Sequence, residues 1–166
     1  MLRPAIRLIF GVLALFLLLE QTGQSTALAQ SVLMGRASVV DGDTLEIQGV
    51  RIRLWGVDAV ESSQTCRYGD GRVWPCGRQA AFALADFLGQ RTVRCKRRDT
   101  DRHGRMVAVC WVGETELNRW LVAQGWALDY TRYSGGTYLA AQEEARRNRR
   151  GIWQGEFTPP WEYRRR

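Results

Sequence analysis

Apolar and polar side chains alternate along residues 44–48 and 50–55, as expected for half-buried β-strands. In the second of these segments Arg53 points away from its apolar neighbours Ile52 and Leu54, so it need not enter the core. Residues 33–40 predict a further strand. Because turn-forming Asp-Gly-Asp and Gln-Gly sequences separate the three segments, we predict a β-meander.

Apolar residues recur at helical spacing in three later segments, each of which predicts an amphipathic helix. These segments are residues 78–88, 115–125 and 137–150. Gly89 is a natural C-terminal residue for the first helix, and Thr115 and Thr137 can cap the N termini of the others. Within the last helix we expect an ion pair between Glu143 and Arg147.

A hairpin is predicted between residues 93–97 and 106–112, with its turn at residues 102–103. Residues 62–77 predict a polar loop, and residues 126–133 an extended segment. Five strands punctuated by about three helices predict an α+β fold, in which the helices pack on a small barrel.

The first thirty residues predict an export signal. Arg3 and Arg7 precede an apolar run, and Ala27-Leu28-Ala29 has the small-x-small pattern of a cleavage site. A membrane anchor needs about 20 apolar residues, more than this run supplies. We therefore predict a signal peptide over 1–29, cleaved after Ala29, and a secreted or periplasmic protein without stable membrane association. An uncleaved, tethered form is the alternative.

Export permits disulfides, and the chain has four cysteines, Cys66, Cys76, Cys95 and Cys110. Four cysteines allow three pairings, and the sequence alone does not choose among them. In a simple hairpin, however, Cys95 would face Cys110, which leaves Cys66 and Cys76 to close the loop between them. A zinc site is the rival interpretation, disfavoured because the chain has one histidine and no Cys-x-x-Cys.

Composition adds a basic charge to this picture. The chain has 24 Lys and Arg against 17 Asp and Glu, and every one of these cations except Lys96 is an arginine. Arginine matches phosphate with two parallel hydrogen bonds, although genome composition explains the bias equally well. A hydrophobic content of 45% excludes a disordered tail protein, and the length suits one domain. We expect a folded domain over residues 30–154 and a mobile basic tail over residues 155–166.

Three short segments carry the residues suited to chemistry, at positions 40–44, 52–61 and 100–105. Each alone is a weak signal, since Asp-Gly-Asp-Thr is first of all a good turn. Together they supply Asp43 and Asp58, whose hard oxygens suit Ca²⁺. They also supply Glu61, which could deprotonate a water, and Arg53 and Arg105, which could grip a phosphate.

In this order the three segments resemble the thermonuclease, or staphylococcal nuclease-like, family. The resemblance spans residues 33–153 and includes Asn118, residues 121–125 and the closing Gly-Ile-Trp. It implies a five-stranded OB-type barrel and Ca²⁺-dependent hydrolysis of DNA and RNA that leaves 3′-phosphates.

The resemblance also implies a role for each residue. Asp43 and Asp58 would be metal ligands, with the Ala59 backbone carbonyl as a third. Glu61 would be the general base, and Arg53 and Arg105 the groups that clamp the phosphate.

Further residues are expected to contact the substrate: Asp101, His103, Tyr130 and Tyr133. Base stacking on tyrosines tolerates any sequence, although simple packing would account for both rings as well. Two departures from the family stand out. Ala59-Val60 replaces the usual Thr-Pro, which removes a restraint on Glu61, and His103 stands where the family often has Tyr.

We therefore predict an exported, monomeric, Ca²⁺-dependent nuclease acting on single-stranded DNA and RNA with little sequence preference. The alternative is a weak or inactive barrel that binds nucleic acid or an anionic envelope polymer. Such a module would bind with steep salt dependence but release no fragments. A third hypothesis is a role in an envelope polysaccharide pathway, with nuclease activity incidental.

Overall fold

The computed structural model describes residues 31–165, so the predicted signal peptide and its cleavage site lie outside the described residues. The strands in this range are β1 Val32–Arg36, β2 Ser38–Asp41, β3 Thr44–Ile47, β4 Val50–Leu54, β5 Val57–Ala59, β6 Cys66–Tyr68, β7 Val73–Trp74, β8 Thr92–Thr100, β9 Met106–Val112, β10 Thr115–Glu116, β11 Ala127–Asp129 and β12 Gly155–Glu156. The α-helices are α1 Cys76–Leu88, α2 Leu117–Ala123, α3 Thr131–Ser134, α4 Leu139–Arg147 and α5 Pro160–Tyr163, and a 3-10 turn covers Gly151–Gln154.

The main sheet has the strand order β1-β8-β9-β4-β3-β2, and β10 pairs with β9 beside this path. The pairing of β4 with β9 is parallel, whereas the other pairings are antiparallel. This mixed sheet curls into a half-barrel, and the helices pack against it. The α+β, OB-type fold class is thereby confirmed, although the strand predicted over residues 33–40 is divided into β1 and β2.

The alternation of the meander places its apolar side chains in one core. Leu45, Ile47, Ile52 and Leu54 are fully buried between the sheet and the helices. On the opposite face of β4, Arg51 is exposed and Arg53 lies at the edge of a cavity. The period of two therefore determines which side chains of β4 remain available for chemistry.

The helices occur where the sequence predicts them, with different ends. Gly89 ends α1 in the left-handed region, at φ +52°. Thr115 does not cap α2, because residues 115–116 form β10 on the edge of β9. Thr137 does not cap α4 either, since its hydroxyl donates to the Ser134 carbonyl. In α4, Glu143 pairs with Arg146, one residue before the predicted partner.

The loop predicted over residues 62–77 is more ordered than its polar sequence indicates. It contains β6 and β7, which join β12 in a small three-stranded sheet. A disulfide between Cys66 and Cys76 connects this sheet to the start of α1. A second core cluster, which includes Val60 and Trp74, lies beneath it.

The hairpin of β8 and β9 has the predicted register. Cys95 lies opposite Cys110, and the two form a disulfide. A register shift between Arg97 and Asp99 bends the hairpin before its turn. Both cysteine pairings therefore occur as expected, and no free cysteine remains in residues 31–165.

In the described residues 155–165, where the sequence predicts a mobile tail, the C-terminal segment packs on the domain. β12 pairs with β6, and Phe157 and Trp161 pack against the second core cluster. These apolar side chains hold the segment on the domain despite its basic end. None of the helices in the described range is long and apolar enough to cross a membrane.

Candidate active site

A cavity of about 920 Å³ opens beside β5, between the ends of β3 and β4 and the turn of the β8–β9 hairpin. All ten residues assigned to the site from the sequence line this cavity: Asp43, Arg53, Asp58, Ala59, Glu61, Asp101, His103, Arg105, Tyr130 and Tyr133. The segments that carry them are far apart in the chain, and the curled sheet brings them together.

Strand register builds the inner wall of the cavity. On β4, Arg53 lies opposite Thr44, which places it beside Asp43 at the start of β3. Its guanidinium forms an ion pair with Asp43 and a hydrogen bond of 2.8 Å with Oδ1 of Asp58, which is buried in β5. We call Asp43, Arg53 and Asp58 the strand cluster.

Close backbone packing fixes the strand cluster in place. The Ala59 N–H donates to Oδ2 of Asp43 at 2.8 Å, so Ala59 contacts this carboxylate through its amide. A Cβ on Gly42 would collide with the side chain of Ala59. Glycine in the Asp-Gly-Asp turn therefore allows the turn to approach β5 closely enough for this hydrogen bond.

Burial and pairing have opposite effects on the strand cluster. Burial raises the pKa of Asp43 to about 7, although Arg53 opposes the rise. Burial also acts to lower the pKa of Arg53, but the carboxylates of Asp43 and Asp58 raise it above its usual value. Asp43 and Asp58 are thus buried carboxyl groups, and keeping a carboxylate charged away from water costs free energy. A bound cation would offset that cost.

Glu61 follows β5 at the mouth of the cavity and is held by a different set of contacts. Val60, which replaces the proline usual at this position, is fully buried in the second core cluster. The buried Gln64 closes the turn through two hydrogen bonds. Its side-chain oxygen accepts from the Glu61 backbone N–H at 3.2 Å, and its backbone N–H donates to the Glu61 carbonyl at 2.7 Å. A Cβ on Gly77 would overlap the Glu61 carbonyl, so the first turn of α1 packs directly against the backbone of Glu61. We call residues 60–64 the Glu61 loop.

Arg105 reaches the cavity from the hairpin turn. Its Nε donates to Oδ2 of Asp101 at 2.7 Å, and Oδ1 of Asp101 accepts from the backbone N–H groups of His103 and Arg105. Partial burial of Asp101 acts to raise the pKa of its carboxyl group, but these hydrogen bonds outweigh burial and lower the pKa below its usual value. Asp101, assigned to substrate binding from the sequence, therefore orients Arg105 in this structure, while His103 lies exposed at the turn.

The two tyrosines form an aromatic wall, although not in the predicted extended segment. Tyr130 follows β11, whereas Tyr133 lies in α3, and their rings meet edge to face with centroids 4.9 Å apart. Tyr133 is exposed and available for stacking. Tyr130 is already stacked on Trp161. The two rings are parallel, and their centroids are 5.7 Å apart.

Among the residues of the cavity that the sequence interpretation missed are Trp161 and Arg164. Arg164 binds Asp58 and Glu61 together, through hydrogen bonds of 2.6–3.1 Å. These bonds raise the pKa of Arg164 above its usual value. The sequence Pro-Pro-Trp-Glu-Tyr-Arg contains a signal for both residues. A proline at the first helical position favours a helical turn, and such a turn places Trp161 and Arg164, three residues apart, on one face.

The donors in the cavity fit a hard divalent cation. Asp43 and Asp58 bring carboxylate oxygens to the same arginine, and oxygen is the ligand atom that Ca²⁺ prefers. Within residues 31–165 no three acidic, histidine or cysteine side chains converge as a metal cluster. A cation here would therefore need backbone oxygen or water beside the two aspartates.

Comparison with known proteins agrees with this geometry. Residues 51–155 match the family model described as Staphylococcal nuclease homologue. The chain is 32% identical over 144 residues to a micrococcal nuclease of Shigella flexneri, covering 76% of this chain and 77% of that protein. An uncharacterized endonuclease of Escherichia coli O157:H7 is 32% identical over 135 residues, 77% of this chain and 82% of the relative. A succinoglycan biosynthesis protein, ExoI, of Rhizobium meliloti (strain 1021) is 40% identical over 152 residues, 90% of this chain and 77% of the relative.

Proposed function

The chain belongs to the staphylococcal nuclease family, and from this premise we propose that it is an exported, Ca²⁺-dependent nuclease that hydrolyses phosphodiester bonds of DNA and RNA. The observation that carries the proposal is that one cavity brings together the carboxylates of Asp43, Asp58 and Glu61 and the guanidinium groups of Arg53 and Arg105. A nuclease needs cationic groups for the phosphate and a base for the attacking water, and this cavity contains both.

Asp43 and Asp58 are the side chains that would hold the Ca²⁺, together with the backbone carbonyl of Ala59 and water. The ion, when bound, offsets the charge of the phosphate and polarises its P–O bonds. Arg53, held between the two aspartates, would bind a phosphate oxygen of the substrate.

Glu61 is proposed to hold a water and accept its proton as the oxygen attacks phosphorus. Arg105 would stabilise the charge that develops on the phosphoryl oxygens, since Asp101 presents its guanidinium in a fixed orientation. The bond to the 5′-oxygen then breaks, the leaving oxygen takes up a proton from solvent water, and the phosphate stays on the 3′ side. His103 stands at the same turn, close enough to the cavity to contact the substrate.

Tyr130 and Tyr133 are proposed to receive a base beside the scissile phosphate. Stacking of this kind requires an unpaired base, which favours single-stranded DNA and RNA over duplexes and gives little sequence preference. Two disulfides are compatible with a secreted or periplasmic protein, and we propose a monomer.

Digestion of single-stranded DNA tests this proposal most simply. The mature protein should release fragments with 3′-phosphates in Ca²⁺ and stop when a chelator is added. Equal rates in both conditions would remove the metal from the mechanism, and absence of cleavage at any Ca²⁺ concentration would reject the nuclease.

A second candidate function is supported by the similarity to ExoI, a succinoglycan biosynthesis protein. The arginines that line the same cavity would then bind an anionic polysaccharide. The discriminating result is salt-sensitive binding of such a polymer without release of fragments from any nucleic acid, whereas cleavage of nucleic acid favours the nuclease.

A further inference from the structure

The end of the chain folds over the candidate active site. We call residues 157–165 the C-terminal arm. Its Trp161, Arg164 and Arg165 line the same cavity as Asp58 and Glu61. The arm thus contacts the two parts of the cavity to which the proposed function assigns a cation and a base.

Arg164 occupies the carboxylates of the site. Its Nη1 donates to Oδ1 of Asp58 at 3.1 Å and to Oε1 of Glu61 at 2.6 Å, and its Nη2 donates to Oδ2 of Asp58 at 2.8 Å. Both oxygens of Asp58 are therefore in contact with an internal cation. A divalent ion and Arg164 need the same lone pairs, so the two compete for Asp58.

Trp161 occupies the aromatic wall. Its ring lies parallel to that of Tyr130, within 5°, and the centroids are 5.7 Å apart. This is the stacking geometry by which a nucleobase would bind an aromatic side chain. Trp161 and a base therefore compete for Tyr130 as Arg164 and a cation compete for Asp58.

The arm is held firmly at its base and loosely at its tip. The Gln64 amide donates to the Thr158 carbonyl at 2.6 Å, which anchors the arm next to the Glu61 loop. Beyond it, α5 has only four residues, too few to be stable without tertiary contacts. The Arg164 side chain is 41% exposed, whereas that of Asp58 is 1% exposed, so opening the pair frees a buried carboxylate that then needs another cation.

We propose that the C-terminal arm is a built-in competitive inhibitor: Arg164 takes the place of the cation on Asp58 and blocks the base Glu61, and Trp161 takes the place of a nucleobase on Tyr130. Ca²⁺ and single-stranded nucleic acid displace the arm together. This inference rests on the proposed function for the identity of the competing ligands. It makes the site closed at low Ca²⁺ and open when both ligands are present.

Competition of this kind lowers apparent affinity by the fraction of molecules that are open. If the arm is closed in about nine molecules of ten, its removal tightens Ca²⁺ binding roughly tenfold. Maximal turnover at saturating Ca²⁺ should not change, because an inhibitor that has been displaced no longer acts on the reaction.

Calorimetric titration of the mature protein with Ca²⁺ tests the inference without measuring catalysis. We compare the wild type with Arg164→Ala and with Trp161→Ala, and use Arg165→Ala as the matched control. Arg165 carries the same charge on the same turn but forms no ion pair with the residues that the structure describes. We expect roughly tenfold tighter Ca²⁺ binding for Arg164→Ala and less than twofold for Arg165→Ala. Trp161→Ala should tighten binding of a phosphorothioate oligonucleotide.

Hydrogen exchange of residues 161–165 supplies a second measurement. Their amides should exchange faster when Ca²⁺ and the oligonucleotide are both bound than in the free protein. Equal Ca²⁺ affinity in the wild type and Arg164→Ala, or no Ca²⁺ binding by either, would overturn the inference, as would unchanged exchange in the arm. If Arg164→Ala binds Ca²⁺ more tightly yet no variant cleaves nucleic acid, the arm inference holds and the nuclease proposal fails.

Discussion

The strand cluster and the Glu61 loop lie side by side in one cavity, but the molecule builds them in different ways. In the strand cluster, Asp43, Arg53 and Asp58 are placed by neighbouring strands, and their contacts span few residues of the chain. Glu61 is placed by contacts with distant segments: Gln64 ties its loop to Thr158, and Arg164 binds the Glu61 carboxylate itself.

The difference separates two properties of the site. Local strand register determines whether the carboxylates and the arginine meet at all, because a slip of one residue would turn Arg53 into the core. Long-range contacts determine how Glu61 is oriented and, in our proposal, whether the cavity is open. We therefore expect changes in the strand cluster to affect folding, and changes around Glu61 to affect turnover more than folding.

Removal of Arg53 should have the largest effect on stability. Arg53→Ala leaves two buried carboxyl groups without their shared partner, and we expect a loss of about 4 kcal/mol in the free energy of unfolding. Arg51→Ala is the control on the same strand, since Arg51 is exposed and its pair with Glu46 is long, at 3.9 Å. Urea unfolding in a chelator should show less than about 0.5 kcal/mol for the control. Equal losses for both variants would show that the strand cluster is not the rigid part of the site.

Loss of the Cys66–Cys76 disulfide should have an intermediate effect and should distinguish the two regions. Its loop is short, with a sequence separation of 10, and the chain-entropy estimate is about 2.5 kcal/mol for Cys66→Ser/Cys76→Ser. Loss of Cys95–Cys110, with a separation of 15, should cost about 3 kcal/mol by the same estimate. We expect the first pair alone to lower kcat, because only that disulfide braces the Glu61 loop. If both double variants keep the wild-type kcat below their unfolding temperatures, the proposed bracing is wrong.

Gln64→Ala should have the smallest effect on stability. It removes hydrogen bonds to the Glu61 turn and to Thr158, and we expect a loss of about 1–2 kcal/mol together with a measurable fall in kcat. Ser63→Ala is the neighbouring control, since the Ser63 hydroxyl has only an exposed contact of 3.5 Å with Tyr163. Thermal unfolding and steady-state kinetics of the two variants provide the test. An unchanged kcat in Gln64→Ala would show that the orientation of Glu61 does not depend on the Gln64 side chain.

The strand cluster could be predicted from the sequence because its residues are positioned by strands and turns that are close together in the chain. Alternation along residues 50–55 places Arg53 opposite the apolar face, and the Asp-Gly-Asp turn places Asp43 at the start of the neighbouring strand. The Cys95–Cys110 pairing followed from hairpin register for the same reason.

The C-terminal arm could not be predicted in this way. Its prolines and terminal arginines are typical of a mobile tail, and only the folded domain provides the apolar surface on which Phe157 and Trp161 pack. The role of Asp101 was also hidden, because the sequence does not show that the turn and Arg105 take up both of its oxygens. Tyr133 was placed in an extended segment because a four-residue helix is too short to produce a periodic pattern.

The central claim is that Glu61 acts as the base of a nuclease site, and Glu61→Gln tests it most directly. The change keeps the size of the side chain and removes its ability to accept a proton. In single-turnover cleavage of single-stranded DNA with saturating Ca²⁺, we expect the rate to fall roughly 10²- to 10⁴-fold while the Kd for the DNA changes little. A cleavage rate equal to that of the wild type, with the same Kd, would contradict the account.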